Sequence, residues 1–597
     1  PQSPIPNPQS PIPNHVLRRY TMSKKGFSVF VGLFIVIGIA GIALLTAQAA
    51  GYGAKEWVTD AMLDFSPGTM DGVDIWSTPG EIQLDFGLWP NMQVNDTATQ
   101  SRFSPRLDFV VSGSDTHFLA VWADERTQDH YPDIYFADST DGGRTWSSDV
   151  LVSEAHVHDR WKGVPDIAVR PADDSLWVVW QDDRIGASDA GDIYFATSAD
   201  LGQTWSAPYH VYAAIGTQGV PRIAASAGSD YLYAIWEDER ADSGDIYISR
   251  YNPDVDLAWG APLKISTDTG GAEQQTPSLT VDTSGNIYAL WTDMRSNDDG
   301  EIYFSNWDAS TAWDAANWSA NTRLSDASMD WATRPDVTVN AADVIFAAWQ
   351  ERVPTGPATY DFQIVVGWSA DQGATWERSV VDRLESASAS NAFYAYPAID
   401  TDGNGLVYVV WLYSPDSQVA TSSILFAVSP DDGENWTEPR VANNPTGQQA
   451  ADVGFAPALV SDASGQVVIA WTDYRETSGD QIYAAGYPAD RYLPNGTYYS
   501  PIFDTGCPAD WNNIAWTETV PVNTSIVLST RIWDNTAAAW SSWSTHTTSG
   551  EALSHPDSNQ IQYRAVFSSN GFVTPVLNSV TISYTEQYCI FLPLVQR

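Results

Sequence analysis

The chain has 597 residues, too many for one ordinary hydrophobic core unless a repeat spreads that core along the sequence. Its 29 basic and 74 acidic residues give a net charge of -45, and only five lysines are present (Lys24, Lys25, Lys55, Lys162, Lys264). No basic patch is left to follow a phosphate backbone, which argues against a nucleic-acid partner and fits an exported protein or one that binds cations.

Residues 1–14 are a tandem of Pro-Gln-Ser-Pro-Ile-Pro-Asn with nothing to bury, and residues 1–21 are expected to be disordered, as translation upstream of a true start at Met22. After Met22 come Lys24-Lys25, an uncharged run from Gly26 to Leu45, and the small-residue site Ala47-Gln48-Ala49. Residues 22–50 are therefore read as a signal peptide or a membrane anchor, the only part of the chain expected to meet a membrane. Arg18, Arg19, Lys24 and Lys25 before the run place the rest outside the cell, secreted or at its surface. Residues 51–82 are either a linker or the first strands of the C-terminal module.

From residue 83 to 490 one phrase repeats. Anchor tryptophans stand at Trp122, Trp180, Trp236, Trp291, Trp349, Trp411 and Trp471, each ending an apolar run. A shorter strand opening with proline precedes each anchor, an Asp-Ile-Tyr type strand follows, and a fourth strand usually comes after a second tryptophan. Four short strands per period read as a propeller blade, so the expected fold is all-β: a seven-bladed β-propeller with a C-terminal β-sandwich (jelly-roll-like) domain and an N-terminal signal or anchor helix. The seventh period lacks a fourth strand after Tyr487, and residues 83–95, around Trp89-Pro-Asn-Met-Gln-Val94, are expected to supply it.

The turn Ser139-Thr-Asp141-Gly-Gly143-Arg-Thr145-Trp146 returns at Asp200, Gly202 and Trp205, at Asp371, Gly373 and Trp376, and at Asp431, Gly433 and Trp436. Aspartate accepts bonds from turn amides, glycine permits positive φ, and the tryptophan can pack over the blade. This spacing resembles the Asp-box (BNR repeat) of sialidase-type propellers, a resemblance that implies a structural turn remote from the active face. The opposite face receives the Trp-x-Asp-x-Arg segments, with Asp124/Arg126, Asp182/Arg184, Asp238/Arg240, Asp293/Arg295 and Asp473/Arg475. A pair repeated five times is read as a ring of structural ion pairs between blades.

Where the repeat breaks its rule, function is expected. Blade 5 carries Glu351-Arg352, and blade 6 has Tyr413 in place of the aspartate, with Tyr394 and Tyr396 leading into its first strand. Arg106 and Arg222 follow the opening prolines of blades 1 and 3, where blades 2 and 5 have Asp166 and Asp336. Tyr394, Tyr396, Tyr413, Asp166 and Asp336 are the ligand-binding candidates. The sialidase resemblance implies an arginine cluster on the sugar carboxylate, a tyrosine–glutamate nucleophile and an aspartate acid/base. Carried over, it assigns Arg106 and Arg126 to the cluster, Asp129 to the acid/base, and Glu273 with Tyr396 to the nucleophilic pair; Arg222, on the same face, is a further catalytic candidate. This chain departs from the family in the proline order of the arginine motif, in its seven blades, and in showing no third clear arginine.

His130, His156 and His158 share the same face and are read as solvated or structural rather than as a transition-metal site. No cofactor is required by any motif. Calcium is possible in the acidic loops Asp238…Asp242…Asp245 and Asn297-Asp298-Asp299-Gly-Glu301, although a solvated acidic rim is the alternative.

At residues 495–586 the period stops and longer strands begin, resembling accessory sandwich modules of secreted bacterial proteins at Phe503-Asp-Thr-Gly506, Trp540-Ser-Ser-Trp543 and Ile561-Gln-Tyr-Arg-Ala565. The segment Asp64–Gly68 and Glu81–Leu84 look like the opening of such a module, which would insert the propeller into it. Cys507 and Cys589 are read as one disulfide that holds the 587–597 tail. Three readings remain open: a monomeric surface propeller binding an extracellular glycan or a surface protein, a sialidase-type exo-glycosidase, and a calcium-stabilised envelope scaffold.

Overall fold

In the computed structural model the described residues lie between 55 and 586; outside them are 1–54, 60–68, 72, 75–81, 85–90, 97–99, 127–130, 155–160, 185–190, 213–214, 242, 269, 297–298, 357–358, 386–392, 404, 415–421, 438, 444–455, 476–478, 488–491, 493–494, 570–573 and 587–597. The expected N-terminal helix, Asp129, Asp242, Cys589 and the three histidines thus lie outside the described residues. Among the described residues no helix is long and apolar enough to cross a membrane.

Seven four-stranded antiparallel sheets follow one another along the chain, and the fold is a seven-bladed propeller. Blade 1 shows the pattern: Arg102–Ser112, Asp115–Asp124, Asp133–Ser139 and Val150–Leu151, in spatial order. The second strands are buried along nearly their whole length, because both of their faces meet a neighbouring blade. That explains their continuous apolar runs in place of alternation. Each seam has its own core, and all seven anchor tryptophans sit in these cores at 1% exposure or less.

Blade 7 takes its fourth strand from the other end of the propeller. Met92–Gln93 pairs with Tyr483 and Ala484, Val94 donates its amide to Ile482 O at 2.8 Å, and Asn95 Oδ1 accepts the Ile482 amide at 2.9 Å. The closing seam packs Val94, Phe118 and Trp122 against Val468 and Ala470. The ring therefore has no open edge between blades 7 and 1.

The four Ser-x-Asp turns share one hydrogen-bond scheme. Asp141 Oδ1 accepts the Thr145 amide at 2.8 Å and Oδ2 accepts the Thr145 hydroxyl at 2.7 Å, while Ser139 Oγ accepts the Gly143 amide at 2.8 Å. The same bonds recur around Asp200 and Asp371, and around Asp431 with the Asn435 side-chain amide in place of the threonine hydroxyl. The turn glycines have positive φ and lean on the preceding blade. A methyl group on Gly202 would stand 2.1 Å from Phe136, and one on Gly373 would stand 2.3 Å from Phe304. Trp205 and Trp376 meet the same phenylalanines edge-on at 5.5 and 5.2 Å. Each of these two turns thus locks its blade to the preceding one.

Hydrogen bonds from the Thr204 and Thr375 hydroxyls, then from the backbone amides of the same threonines, hold the Asp200 and Asp371 carboxyls below the ordinary carboxylate range. A depressed folded-state pKa adds stability above the unfolded value near ~4 and loses it as pH falls through the folded value. Melting temperatures measured from pH 5 down to pH 2 should therefore fall more steeply for the wild type than for the Asp200→Asn/Asp371→Asn variant. Parallel curves would refute this account of the turns.

The remaining strands form one twelve-stranded sheet with its own core, built around Trp511, Tyr563, Phe567 and Ile582. Strands from both sides of the propeller contribute. Lys55–Thr59 pairs with Val576–Glu586, Thr69–Asp71 with Asn495–Tyr499, and Ile82–Leu84 with Val576 and Leu577. Ile82–Leu84 thereby falls on the sheet side of the boundary expected at residue 83. Cys507 lies in the strand Phe503–Thr519 and is disulfide-bonded.

Candidate functional site

In blade 1, Arg102 pairs with Asp124 and Phe118 with Ser139, so the Trp-x-Asp end of the blade and its Ser-x-Asp turn are at opposite ends. The first strands of all seven blades line a central channel of about 740 Å³. In six blades the first strand carries a bulge just before or at its proline. The residue ahead of that proline has positive φ: Ser104, Val164, Val220, Thr276, Arg334 and Tyr396 at 48 to 58°. Left-handed backbone is costly for branched side chains and is sustained only by surrounding contacts. The middle residue of Trp-x-Asp in one blade supplies such a contact to the next. Glu237 Oε1 accepts the Thr276 amide at 2.5 Å, Thr292 Oγ1 the Arg334 amide at 3.0 Å, and Gln350 Oε1 the Tyr396 amide at 2.8 Å.

Beyond the bulge the strands alternate. Residues two after the proline pack into the seams (Ile167, Ile223, Leu279, Val337, Ile399). Residues one and three after it therefore face the channel. This gives three tiers from the Trp-x-Asp end inward. The outer tier includes Ser104, Thr276, Arg334 and Tyr396; the middle tier includes Arg106, Asp166, Arg222, Ser278 and Asp336; the inner tier includes Asp108, Thr338 and Asp400.

Several carboxylates join neighbouring blades by accepting a backbone amide from the next first strand. Asp108 accepts from Val169 at 2.8 Å, Asp166 from Ile223 at 2.8 Å, Asp336 from Ile399 at 3.0 Å and Asp400 from Ser461 at 2.7 Å. The other oxygen of Asp166 lies 3.8 Å from Arg106 Nε, and that of Asp336 accepts the Ser278 hydroxyl at 2.9 Å. Arg222 and Arg334 have no carboxylate within 4 Å among the described residues. The Arg334 guanidinium lies 4.2 Å over the Tyr396 ring.

Burial, then the like charge of Arg222, lowers the Arg106 pKa to about 10, against the opposing pull of Asp166 and Asp336. Burial raises Asp108 to about 7 and Asp400 to about 6. Glu237, beside the channel, is held at about 7 by burial and the nearby Glu273 charge, against the Thr276 amide and Arg222. The arginines thus lie in the outer and middle tiers, two of them beside Asp166 and Asp336, and the inner tier carries carboxyl groups alone among its charges. Guanidinium groups suit planar oxyanions, which they bind through paired N–H donors.

The structure brings Arg106, Arg222, Asp166, Asp336 and Tyr396 into this channel and adds Arg334, a third arginine absent from the sequence reading. Other candidates lie elsewhere. Arg126 is held by Asp124 at 2.6 Å and Asp149 at 2.5 Å, stacks 3.7 Å over Tyr135, and does not line the channel. Tyr394 is buried and donates its hydroxyl to Asp382 at 2.6 Å, while Tyr413 packs against Tyr394. Glu273 stands with Glu237 rather than with Tyr396, whose ring carries Arg334.

The expected ring of ion pairs between blades is corrected: the Trp-x-Asp-x-Arg pairs form within each blade. Asp238, for example, accepts the Trp236 indole N–H at 2.8 Å and Arg240 Nε at 2.7 Å. The five arginines stack on tyrosines of their own third strands. Blade 5 keeps the scheme with Glu351, served by Trp349, Gln363 and Arg378. In blade 6, Tyr413 replaces the acid and the buried Trp411 indole N–H has no partner among the described residues. Among the described residues no group of three or more His, Cys, Asp or Glu side chains is placed to hold a metal. In the acidic loops, Asp245 pairs with Lys264 and Glu301 with Arg323.

No protein-family model matches the chain, and no curated protein matches it. It is similar in fold to solved structures, among them an α-L-arabinanase from Penicillium chrysogenum (17% identity, 55% of this chain and 94% of that one, TM-score 0.38). Others are the Hadza microbial sialidase Hz136 (14%, 64% and 65%, 0.34) and the polysaccharide lyase Uly1 (9%, 67% and 98%, 0.46). At these identities the likeness is one of fold: a seven-bladed propeller set beside sialidase, arabinanase and polysaccharide lyase propellers.

Proposed function

We propose that this chain is an exported monomer, secreted or held at the cell surface, whose propeller binds an anionic glycan at the channel mouth on the Trp-x-Asp side. The Ser-x-Asp turns on the other side are Asp-boxes in this reading and serve stability. The observation that carries the proposal is the group Arg106, Arg222 and Arg334 in one channel, the last two without a carboxylate within 4 Å among the described residues. The Ser104 hydroxyl lines the same channel as a partner for a sugar hydroxyl, while those of Thr276 and Ser278 are bonded to Thr292 and Asp336. Such a site selects a sugar acid over its neutral counterpart, because an unmatched guanidinium gains little from a neutral hydroxyl. A glycan array probed with the intact protein should give signal on uronate- or sialate-terminated oligosaccharides. Uniform binding to neutral glycans would contradict it.

A second reading, an exo-glycosidase of sialidase type, draws on one observation: Glu237 is a carboxyl group held at about 7 close to Arg222 and Glu273. A carboxylic acid kept protonated near neutral pH can act as a general acid. Release of fluorophore from a fluorogenic sialoside, lost in Tyr396→Phe and Arg106→Ala, would favour this reading. No turnover would leave the binding function alone.

A further inference from the structure

The twelve-stranded sheet carries a second cationic cluster, made from residues outside the propeller. Strand Ser558–Ser568 lies between Ser525–Asp534 and Asn495–Tyr499, in a register that sets Arg531 opposite Gln562 and Arg564 opposite both Ser529 and Tyr499. Ile561, Tyr563, Ala565 and Phe567 fill the core, so Gln562 and Arg564 point to the outer side of the sheet. The turn after Asp534 folds Trp540 back beside Trp533 and brings Trp543 over the same surface.

Arginines and aromatic rings interleave there. The Arg531 guanidinium lies 4.6 Å over Trp540 and 4.5 Å over Trp543, and that of Arg564 lies 4.7 Å over Trp543. Tyr499 stands 5.9 Å from Trp543. All five side chains are half-buried and keep part of their surface in solvent. Arg531 donates from Nε and Nη2 to Gln562 Oε1 at 3.0 and 2.6 Å. Arg564 has no acceptor among the described residues, and its buried Nε is unpartnered. No carboxylate lies within 4 Å of either guanidinium among the described residues, in a chain with 74 acidic residues. Burial lowers the Arg531 pKa, and the like charge of Arg564 adds to this against an opposing effect of Tyr499.

Stacking alone explains how the faces of the guanidinium groups are held, not why the Arg564 donors are left without an acceptor among the described residues beside a second uncompensated charge. A planar oxyanion fits those donors, and the aromatic rim offers a surface for the apolar face of a sugar ring. A long polyanion would meet the repulsion of the net negative chain, so the ligand is short. We infer that this cluster is a second binding site, independent of the channel, for a short acidic oligosaccharide, with Arg564 taking its carboxylate and Trp543 and Tyr499 its ring.

The test uses the intact protein carrying Arg222→Ala and Arg334→Ala, which silences the channel, titrated with tetragalacturonate and followed by tryptophan fluorescence. Saturable binding is expected, and it should weaken at least about tenfold in Arg564→Gln, the loss of one charge-assisted contact. Arg564→Lys, which keeps the charge without the fork, separates recognition from folding if the glutamine variant melts early; it should bind several-fold more weakly at an unchanged melting temperature. Absence of saturable binding by the folded protein, or unchanged affinity in both Arg564 variants, would overturn the site. Equal binding of a tetraglutamate peptide would overturn the saccharide assignment.

Discussion

Replacing Asp238 by alanine is expected to destabilise the protein by about 3 kcal/mol, a large loss for a single polar side chain. The carboxylate is fully buried and accepts the Trp236 indole N–H at 2.8 Å, the Arg240 amide at 3.0 Å and Arg240 Nε at 2.7 Å. Arg240 Nη2 donates to it as well, so alanine strips four donors at once and leaves Arg240 over Tyr212 and Tyr247 without a counter-charge. The full cost of a broken buried pair, about 3–5 kcal/mol, is reduced because the Arg240 side chain is 20% exposed and retains some water. Asp238→Asn keeps an acceptor for the indole and should lose less. Blade 6 shows the one anchor tryptophan without this acceptor: among the described residues the buried Trp411 N–H has no partner where Tyr413 replaces the acid. Urea unfolding of the two variants checks the ordering; a loss below about 1 kcal/mol for alanine would mean that the repeated pair is ornamental to stability.

The second large effect concerns binding. Arg222→Ala together with Arg334→Ala should weaken an acidic glycan at the channel at least about a hundredfold, since each charge-assisted hydrogen bond contributes about 1.5–3 kcal/mol. Neither arginine has a carboxylate partner within 4 Å among the described residues, so no ion pair is broken in the variant and its melting temperature should stay close to that of the wild type. Arg334 also lies over Tyr396, and its loss removes that stacking as well. Arg126→Ala is the informative contrast. It removes a buried partner of Asp124 and Asp149, so it should lower stability while leaving glycan affinity of the folded protein unchanged.

The blade count was legible because each seam needs a large apolar anchor, and a tryptophan buried to 1% or less cannot drift without opening a cavity. The turns were legible for a similar reason: Gly202 and Gly373 have no room for a side chain against Phe136 and Phe304. The site was legible only in part. Arg106 and Arg222 follow their prolines and read as departures from Asp166 and Asp336. Arg334 precedes its proline and shares the parity of Asp336 and Thr338, so alternation does place it on the channel side, but the equivalent residues of the other blades (Ser104, Val164, Val220, Thr276, Tyr396, Ala456) carry no charge that would mark the position. A run of six bulges at X-Pro is a signal that could have been sought, since proline restricts the residue before it. The partners of the Trp-x-Asp-x-Arg ring were misassigned between blades because spacing fixes which strand end a charge occupies, not the distance to the adjacent blade. The middle residue of that phrase varies in type from blade to blade and so carries no repeating signal, although Glu237, Thr292 and Gln350 each tie one blade to the bulge of the next.

The central claim is that the channel recognises the charge of a sugar acid through Arg106, Arg222 and Arg334. It is tested most directly by calorimetric titration of the Arg564→Gln protein, whose sheet cluster is disabled, with one acidic oligosaccharide and with the same oligosaccharide after its carboxyl group is reduced to the alcohol. The account predicts saturable binding of the acid and at least about a tenfold loss on reduction. Equal affinity for the two forms would contradict it.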